Sequence, residues 1–277
     1  MKALHRALAD AARTLAPGSD TARLDAELLM AEALGIERDR LLLDPPDRPV
    51  PERFWSMVER RRGGEPVAYI TGRRAFWNVE LHVGPGVLIP RPDSETLIAA
   101  ALEHFEGRAP PRRILDLGTG PGTLLLAALD LWPEATGLGV DASRRALSYA
   151  AANARRLRLD ERTEWRLGDW AVGIQECFDL ILCNPPYVAT EAALGPGVAE
   201  HEPAEALFAG PQGLDDYRRI APQIGRLLCP GGLAAIEIGA DQGGSAAAIF
   251  RAEGLEPALA HDLNDRPRAL LIQVNHN

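Results

Sequence analysis

Between residues 93 and 277, short apolar runs alternate with stretches of helical spacing, and no other feature limits the chain as much. The runs are Arg113 to Leu117, Gly137 to Asp141, Glu164 to Leu167, Asp179 to Cys183, Leu233 to Ile238 and Ala269 to Val274. Strands that alternate with helices in this way predict an α/β fold with a doubly wound, mostly parallel sheet.

The first third of the chain has a different period. Leu4, Leu8 and Leu15 form one apolar stripe, ended by Pro17-Gly18. Ser19 or Asp20 is expected to cap a second helix carrying Leu24, Leu28, Ala31 and Leu34, closed by Gly35. Beyond the proline-rich loop Asp44 to Pro51, a third helix carries Phe54, Met57 and Val58. It ends in Arg60-Arg61-Arg62, whose charges complement a helix C-terminus. From residue 76, Trp77, Val79, Leu81 and Val83 alternate with polar residues, and Gly84-Pro85-Gly86 then turns the chain into Val87-Leu88-Ile89. The expected organisation is a helical domain over 1–72, a β-hairpin linker over 73–92 and an α/β domain over 93–277.

Charge and composition exclude several classes. The formal net charge of −9 argues against a mainly electrostatic binder of nucleic acid or membrane. The first 85 residues carry 13 Lys or Arg against 13 Asp or Glu, so the whole excess falls on residues 86–277. No run approaches the ~18 apolar residues of a membrane helix. Met1 to Pro17 reads as an amphipathic helix and not as a signal peptide. The three cysteines, Cys177, Cys183 and Cys229, form no C-x-x-C pair, so reduced thiols in a cytoplasmic protein are expected and no metal site is.

Two segments carry chemistry. In the first, Ile114-Leu115-Asp116-Leu117 runs into Gly118-Thr119-Gly120-Pro121-Gly122 and then an apolar helix. Glycines there let the backbone approach a ligand and aim amide groups at it. Asp141 closes the next strand, where a carboxylate suits a ribose diol. A dinucleotide fits this outline, although its fingerprint wants a third glycine where Thr123 stands.

In the second, Cys183-Asn184-Pro185-Pro186-Tyr187 follows the apolar strand ending at Leu182, at the carboxyl end where open α/β sheets bind ligands. The prolines are rigid and lack N–H groups, so the turn presents carbonyls and the Asn amide. Accepting both N–H bonds of an –NH₂ group on the Asn184 and Pro185 carbonyls aims its conjugated lone pair at an electrophile. Tyr187 offers a flat face for a planar group.

These segments resemble the class I S-adenosylmethionine-dependent methyltransferases. That likeness implies the first acid near the cofactor's methionine amino group and the second on its ribose. Asn-Pro-Pro-Tyr resembles the signature of methyltransferases acting on planar nitrogens, either nucleic-acid base amines or a protein glutamine amide. Further segments resemble the peptide-chain release factor glutamine methyltransferases. They are Pro66-Val67-Ala68-Tyr69-Ile70-Thr71-Gly72, Phe76-Trp77, Ile89-Pro90-Arg91-Pro92-Asp93-Ser94-Glu95, Gly168-Asp169-Trp170, and Glu202-Pro203 with Ala206-Leu207.

The resemblance implies a helical substrate-recognition domain, a hairpin and a seven-stranded methyltransferase domain. It implies methyl transfer from S-adenosylmethionine to the N5 amide of the glutamine in the Gly-Gly-Gln tripeptide of release factors. Gly118, Thr119, Gly120, Pro121, Gly122, Asp141, Trp170 and Asn184 would hold the cofactor, and Asn184, Pro185, Pro186 and Tyr187 the amide. Arg91 and Pro92 would lie near the site, with Arg91 free to face substrate or to pair with a carboxylate such as Glu95. Departures from the family pattern are Pro121, Ser94 in place of Thr, His201 before Glu-Pro, and the divergent stretch Asn264 to Arg268. A monomer without stable nucleic-acid or membrane binding is expected. The alternatives are glutamine methylation of a ribosomal protein and amino-group methylation of a base, which would need base flipping.

Overall fold

The computed structural model describes residues 2–195 and 197–274. They form two compact units. One comprises the chain up to Arg73 together with Leu194–His201; the other comprises Arg74–Ala193 and the chain from Glu202 onward. The helices in chain order are α1 (Lys2–Leu15), α2 (Ala22–Leu34), α3 (Arg38–Leu43), α4 (Glu52–Arg62), α5 (Val67–Thr71), α6 (Glu95–Phe105), α7 (Thr123–Leu131), α8 (Arg144–Leu157), α9 (Val198–His201), α10 (Asp215–Leu227) and α11 (Gly243–Ala252). The strands are β1 (Arg73–Phe76), β2 (Val79–His82), β3 (Arg113–Leu117), β4 (Thr136–Asp141), β5 (Thr163–Leu167), β6 (Phe178–Cys183), β7 (Leu228–Glu237), β8 (Ala258–His261) and β9 (Pro267–Ile272).

In the helical unit, Leu4, Leu8, Ala11 and Leu15 of α1 bury one stripe against Leu29 and Met30 of α2 and Phe54 and Val58 of α4. The expected cap at Ser19 or Asp20 is not formed. α2 starts after Thr21, and the Ser19 and Thr21 hydroxyls instead donate to the buried Asp25 carboxylate, at 2.8 and 3.0 Å. Arg61 completes that cluster at 2.7 Å, so it pairs a buried charge as well as ending α4.

The second unit is built on a seven-stranded sheet of order β5-β4-β3-β6-β7-β9-β8, parallel except for β9, which runs antiparallel to both neighbours. The central strands β3 and β6 are buried along nearly their whole length, as parallel strands covered on both faces must be. α10 and α11 pack Tyr217, Ile220, Ile224 and Phe250 against Leu115, Leu117, Ile181 and Ile236. From β3 the chain winds outward through β4 to β5, then returns to lay β6 on the other side of β3. That reversal between β3 and β6 is the switch point where such sheets bind ligands.

Two expectations fail here. The hairpin pairs Arg73–Phe76 with Val79–His82 and turns at Trp77-Asn78, whereas Val87-Leu88-Ile89 forms no strand. Trp77 adopts φ 52°, which closes the turn seven residues earlier than the Gly84-Pro85-Gly86 signal. Cys177 and Cys229 form a disulfide instead of remaining reduced, with Cα atoms 5.2 Å apart. They are distant in sequence, but Phe178 pairs with Leu228 across β6 and β7, which sets the two cysteines side by side. Cys183 is free and fully buried, and burial first, then the nearby Asp116, push its thiol pKa up, so it stays protonated.

Candidate active site

Sequence and sheet order converge on one crevice at the carboxyl ends of β3 and β6. Beyond β3, the Gly118 and Thr119 amides donate to the Val140 carbonyl at 2.9 and 3.0 Å, which continues the pairing with β4 into the turn. Gly118 then takes φ 71°, and a Cβ on it would lie 3.2 Å from the Trp170 indole. Both constraints demand glycine, and the second shows that Trp170 lies against the turn. The Asn184 carbonyl lies 3.9 Å from the same point. Arg91, Ser94, Asp116, Gly118 to Pro121 and Asn184 thus line one crevice. A wider depression by Arg113, Thr136 and Thr163 lies at the opposite ends of the strands and holds none of these residues.

Two carboxylates frame the turn. Asp141 accepts from the Gly120 amide and the Ser143 amide, each at 2.8 Å, so it braces the turn and the start of α8 together. Burial pushes its pKa up while these amide bonds pull it back. Each oxygen keeps a lone pair for a ligand hydroxyl. Asp116 is buried more deeply. Its Oδ2 accepts from Thr119 Oγ1 at 2.6 Å and the Leu125 amide at 3.2 Å, while Oδ1 is buried without a partner among the described residues. Burial raises its pKa to about 7, partly offset by those two bonds, with Asp141 adding repulsion. A buried acid with an orphaned oxygen in a crevice suits a cationic ligand group.

Asn153, on α8, ties this turn to the hairpin. Its Oδ1 accepts from the His82 amide at 2.7 Å, and its Nδ2 donates to the His82 and Pro121 carbonyls at 3.0 and 2.9 Å. Asn153→Ala strands three backbone groups around a fully buried position. It is expected to lower unfolding stability by about 2 kcal/mol, read from the denaturant midpoint.

At the end of β6, the Asn184 amide Nδ2 donates to Ser94 Oγ at 2.9 Å, which leaves Oδ1 without a partner among the described residues. Pro185 is buried. Tyr187 is held at both ends, since its carbonyl accepts from Gln242 Nε2 at 2.9 Å and its hydroxyl donates to Glu237 Oε1 at 3.0 Å. Burial, then the Glu237 charge, raise the Tyr187 pKa, so the phenol stays neutral. Glu237 ends β7, is fully buried, and has its pKa raised to about 7 by that burial, while Ser94, Tyr187 and Arg268 favour its ionised form.

Arg91 pairs with Glu202 and not with Glu95, which instead accepts from the Trp77 amide at 2.9 Å. Glu202 is buried and also accepts from the Ile89 amide at 2.9 Å, so one carboxylate fixes both ends of the Ile89-Pro90-Arg91 segment. Pro92 opens the short turn Pro92–Ser94 that presents Ser94. Within the divergent C-terminal stretch, Arg268 reaches Asp93 at 3.0 Å and Asp262 at 3.2 Å.

Sequence reasoning assigned no roles to Ser94, Asn153, Glu202, Glu237 or Arg268. Glu237 did carry a signal: it closes an apolar strand with a carboxylate, as Asp116 does. Ser94 and Asn153 carried none, because their partners lie 90 and 71 residues away.

The chain matches two family models, a "PrmC N-terminal domain" over residues 6–72 and a "Methyltransferase small domain" over residues 93–201. It is 42% identical over 261 residues to a release factor glutamine methyltransferase of Caulobacter vibrioides, covering 92% of this chain and 90% of that one. It is also 42% identical over 274 residues to a protein of that description from Cereibacter sphaeroides, covering 97% of both. The structure is similar to that of a methyltransferase from Pyrococcus furiosus, with TM-score 0.54 and 17% identity over 77% of this chain and 95% of that one.

Proposed function

This chain belongs to the release factor glutamine methyltransferase family, and on that premise we propose that it methylates the N5 amide of the glutamine in the Gly-Gly-Gln motif of peptide-chain release factors, with S-adenosylmethionine as donor. The observation that carries this reading is the juxtaposition in one crevice of the glycine turn after β3 and the Asn184 amide after β6. The donor supplies an electrophilic methyl on a sulfonium sulfur. In this reading the orphaned Asp116 Oδ1 takes the donor's ammonium, Asp141 its ribose hydroxyls, and Trp170 with Gly118 to Gly122 the remaining surface.

The chemistry asked of the chain is positional. A carboxamide nitrogen is a poor nucleophile because its lone pair is delocalised into the carbonyl. Asn184 Oδ1 and the Pro185 carbonyl accept its two N–H bonds, which places negative ends of dipoles where positive charge develops as the nitrogen bonds carbon. Tyr187, pinned through Glu237 and Gln242, supports the amide plane. No strong general base is needed, since the methylated nitrogen sheds its proton readily. Substrate recognition is assigned to residues 1–72, with 73–92 as linker and 93–277 as the transferring domain. The acidic excess of residues 86–277 suits a basic partner surface.

Mass spectrometry on purified release factor incubated with enzyme and S-adenosylmethionine tests this. One added methyl on the Gly-Gly-Gln glutamine is the expected result. Methyl label appearing instead on ribosomal protein or nucleic acid would overturn it.

A further inference from the structure

The Asn-Pro-Pro-Tyr turn is hard to hold in place. Pro185 and Pro186 have no N–H group, so the surrounding chain cannot tie them down by accepting from their backbone. The proposed chemistry also needs Asn184 Oδ1 and the Pro185 carbonyl open to substrate. A hold on the backbone of the turn therefore has to be a donor aimed at another carbonyl. Tyr187 supplies that carbonyl, and Gln242 the donor.

We propose that Gln242 is the positioning residue that locks the Asn-Pro-Pro-Tyr turn in its substrate-accepting shape before substrate arrives. This deepens the function proposed above and rests on it. Gln242 Nε2 donates to the Tyr187 carbonyl at 2.9 Å and to the Gly213 carbonyl at 3.2 Å. Its Oε1 accepts from the Gly239 amide at 3.0 Å and shares the Tyr217 hydroxyl proton, at 3.2 Å, with the Glu237 carbonyl. One side chain thus joins the turn after β6, the segment leading into α10 and the turn after β7. Polarity decides which end of it points where. The Tyr187 and Gly213 carbonyls can only accept and the Gly239 amide can only donate, so a flipped amide would lose all of those bonds.

Gln242 is itself fixed. Its backbone amide donates to the Gly239 carbonyl at 2.9 Å, its carbonyl accepts from the Ala246 amide at 2.8 Å, and α11 beyond it buries Ala246, Ala247 and Phe250. The neighbouring loops fit closely around the side chain. A Cβ on Gly239 would lie 2.8 Å from Oε1, and one on Gly213 would lie 2.9 Å from Nε2 and 2.2 Å from the Tyr187 oxygen. Gly213 adopts φ 68°, so backbone shape and close approach both call for glycine there. Downstream of Tyr187, backbone pairing holds the chain. The Val188 amide donates to the Leu207 carbonyl and its carbonyl accepts from the Ala209 amide, each at 2.9 Å, and the Thr190 amide donates to the Gly210 carbonyl at 3.0 Å. Gln242 carries that hold one residue upstream, to the edge of the prolines. The hydroxyl bond to Glu237 fixes the Tyr187 ring, whereas Gln242 fixes the peptide. Proline φ stays near −65°, so a peptide fixed at Tyr187 constrains the Pro185 carbonyl across the two rings. Acceptors held in place beforehand need no reorganisation as charge develops on the substrate nitrogen.

The experiment compares Gln242→Met and Gln242→Glu with wild type in kcat and KM for methyl transfer to release factor, with the S-adenosylmethionine Kd from calorimetry. Both variants keep the length of the side chain. Met makes none of these hydrogen bonds, while Glu keeps an acceptor for Gly239 and sets its other oxygen against two carbonyls. Each is expected to lose about 10- to 100-fold in kcat, with KM and cofactor Kd within about threefold of wild type. The same substitutions in an Asn184→Ala background separate positioning from stability. Gln242 acts through the turn, so with Asn184 already gone its loss should cost only about threefold or less. An active wild type together with any of three results overturns this role alone: full kcat in either variant, an equal fold-loss in both backgrounds, or a loss that falls on KM or cofactor Kd. A wild type that binds S-adenosylmethionine but is inactive on release factor overturns the proposed function and this role with it.

Discussion

Asn184→Ala is expected to lower kcat for glutamine methylation by about 10²- to 10³-fold, a loss of roughly 3–4 kcal/mol of transition-state stabilisation. The variant removes Asn184 Oδ1, a side-chain acceptor in the crevice that takes no hydrogen bond from the other described residues. Charge develops on the substrate nitrogen only as the new bond forms, so the lost interaction is one made mainly in the transition state. It should therefore appear in kcat more than in KM. The cofactor Kd should hold, because the residues that frame its site, Asp116, Gly118 to Gly122 and Asp141, draw their hydrogen bonds from Thr119, Leu125, Ser143 and Val140, not from the Asn184 side chain. The Pro185 carbonyl remains, so some turnover should survive. Kinetics with saturating cofactor, paired with calorimetry, check both halves. Turnover within tenfold of wild type would remove Asn184 from the chemistry.

Why Asn184 could be singled out from the sequence, and Ser94 could not, follows from where each gets its meaning. β3 and β6 are central parallel strands and must be apolar throughout, so an Asp or an Asn-Pro-Pro at the end of such a run stands out without any partner in view. The glycines report a backbone conformation, which is local and hence legible. Ser94 means nothing until a turn before α6 lies against the ends of β6 and β7. Cys177 and Cys229 are likewise ordinary until strand register makes them neighbours. β8 escaped because an edge strand of four largely exposed residues has no apolar run to show. The hairpin turn was misplaced because Gly84-Pro85-Gly86 is a stronger local signal than Trp77-Asn78, and the pairing that overrides it is non-local.

Asp116→Asn should separate stability from binding in opposite directions. In the cofactor-free protein Asp116 is a fully buried carboxyl whose Oδ1 has no partner, and its pKa is raised from 3.8 to about 7. For a carboxyl whose folded pKa lies above its unfolded one, the native state holds more protons between the two values. Stability therefore falls as pH rises from about 4 to 7 and stays low above that. A rise of that size corresponds to a penalty of roughly 4 kcal/mol at alkaline pH, of which Asn recovers only part, since its Nδ2 is itself buried without an acceptor. The variant should accordingly melt several degrees higher than wild type near pH 8 without cofactor, with the difference shrinking as pH falls toward 5. The same change removes the negative charge offered to the donor's ammonium, so the S-adenosylmethionine Kd should weaken by about 100-fold. Added cofactor then reverses the order of melting temperatures, because ligand stabilises the native state in proportion to its affinity. Thermal unfolding at pH 5 and 8, with and without S-adenosylmethionine, reads all of this in one series. A destabilised Asp116→Asn that still binds cofactor normally would show that Oδ1 serves the fold and not the ligand.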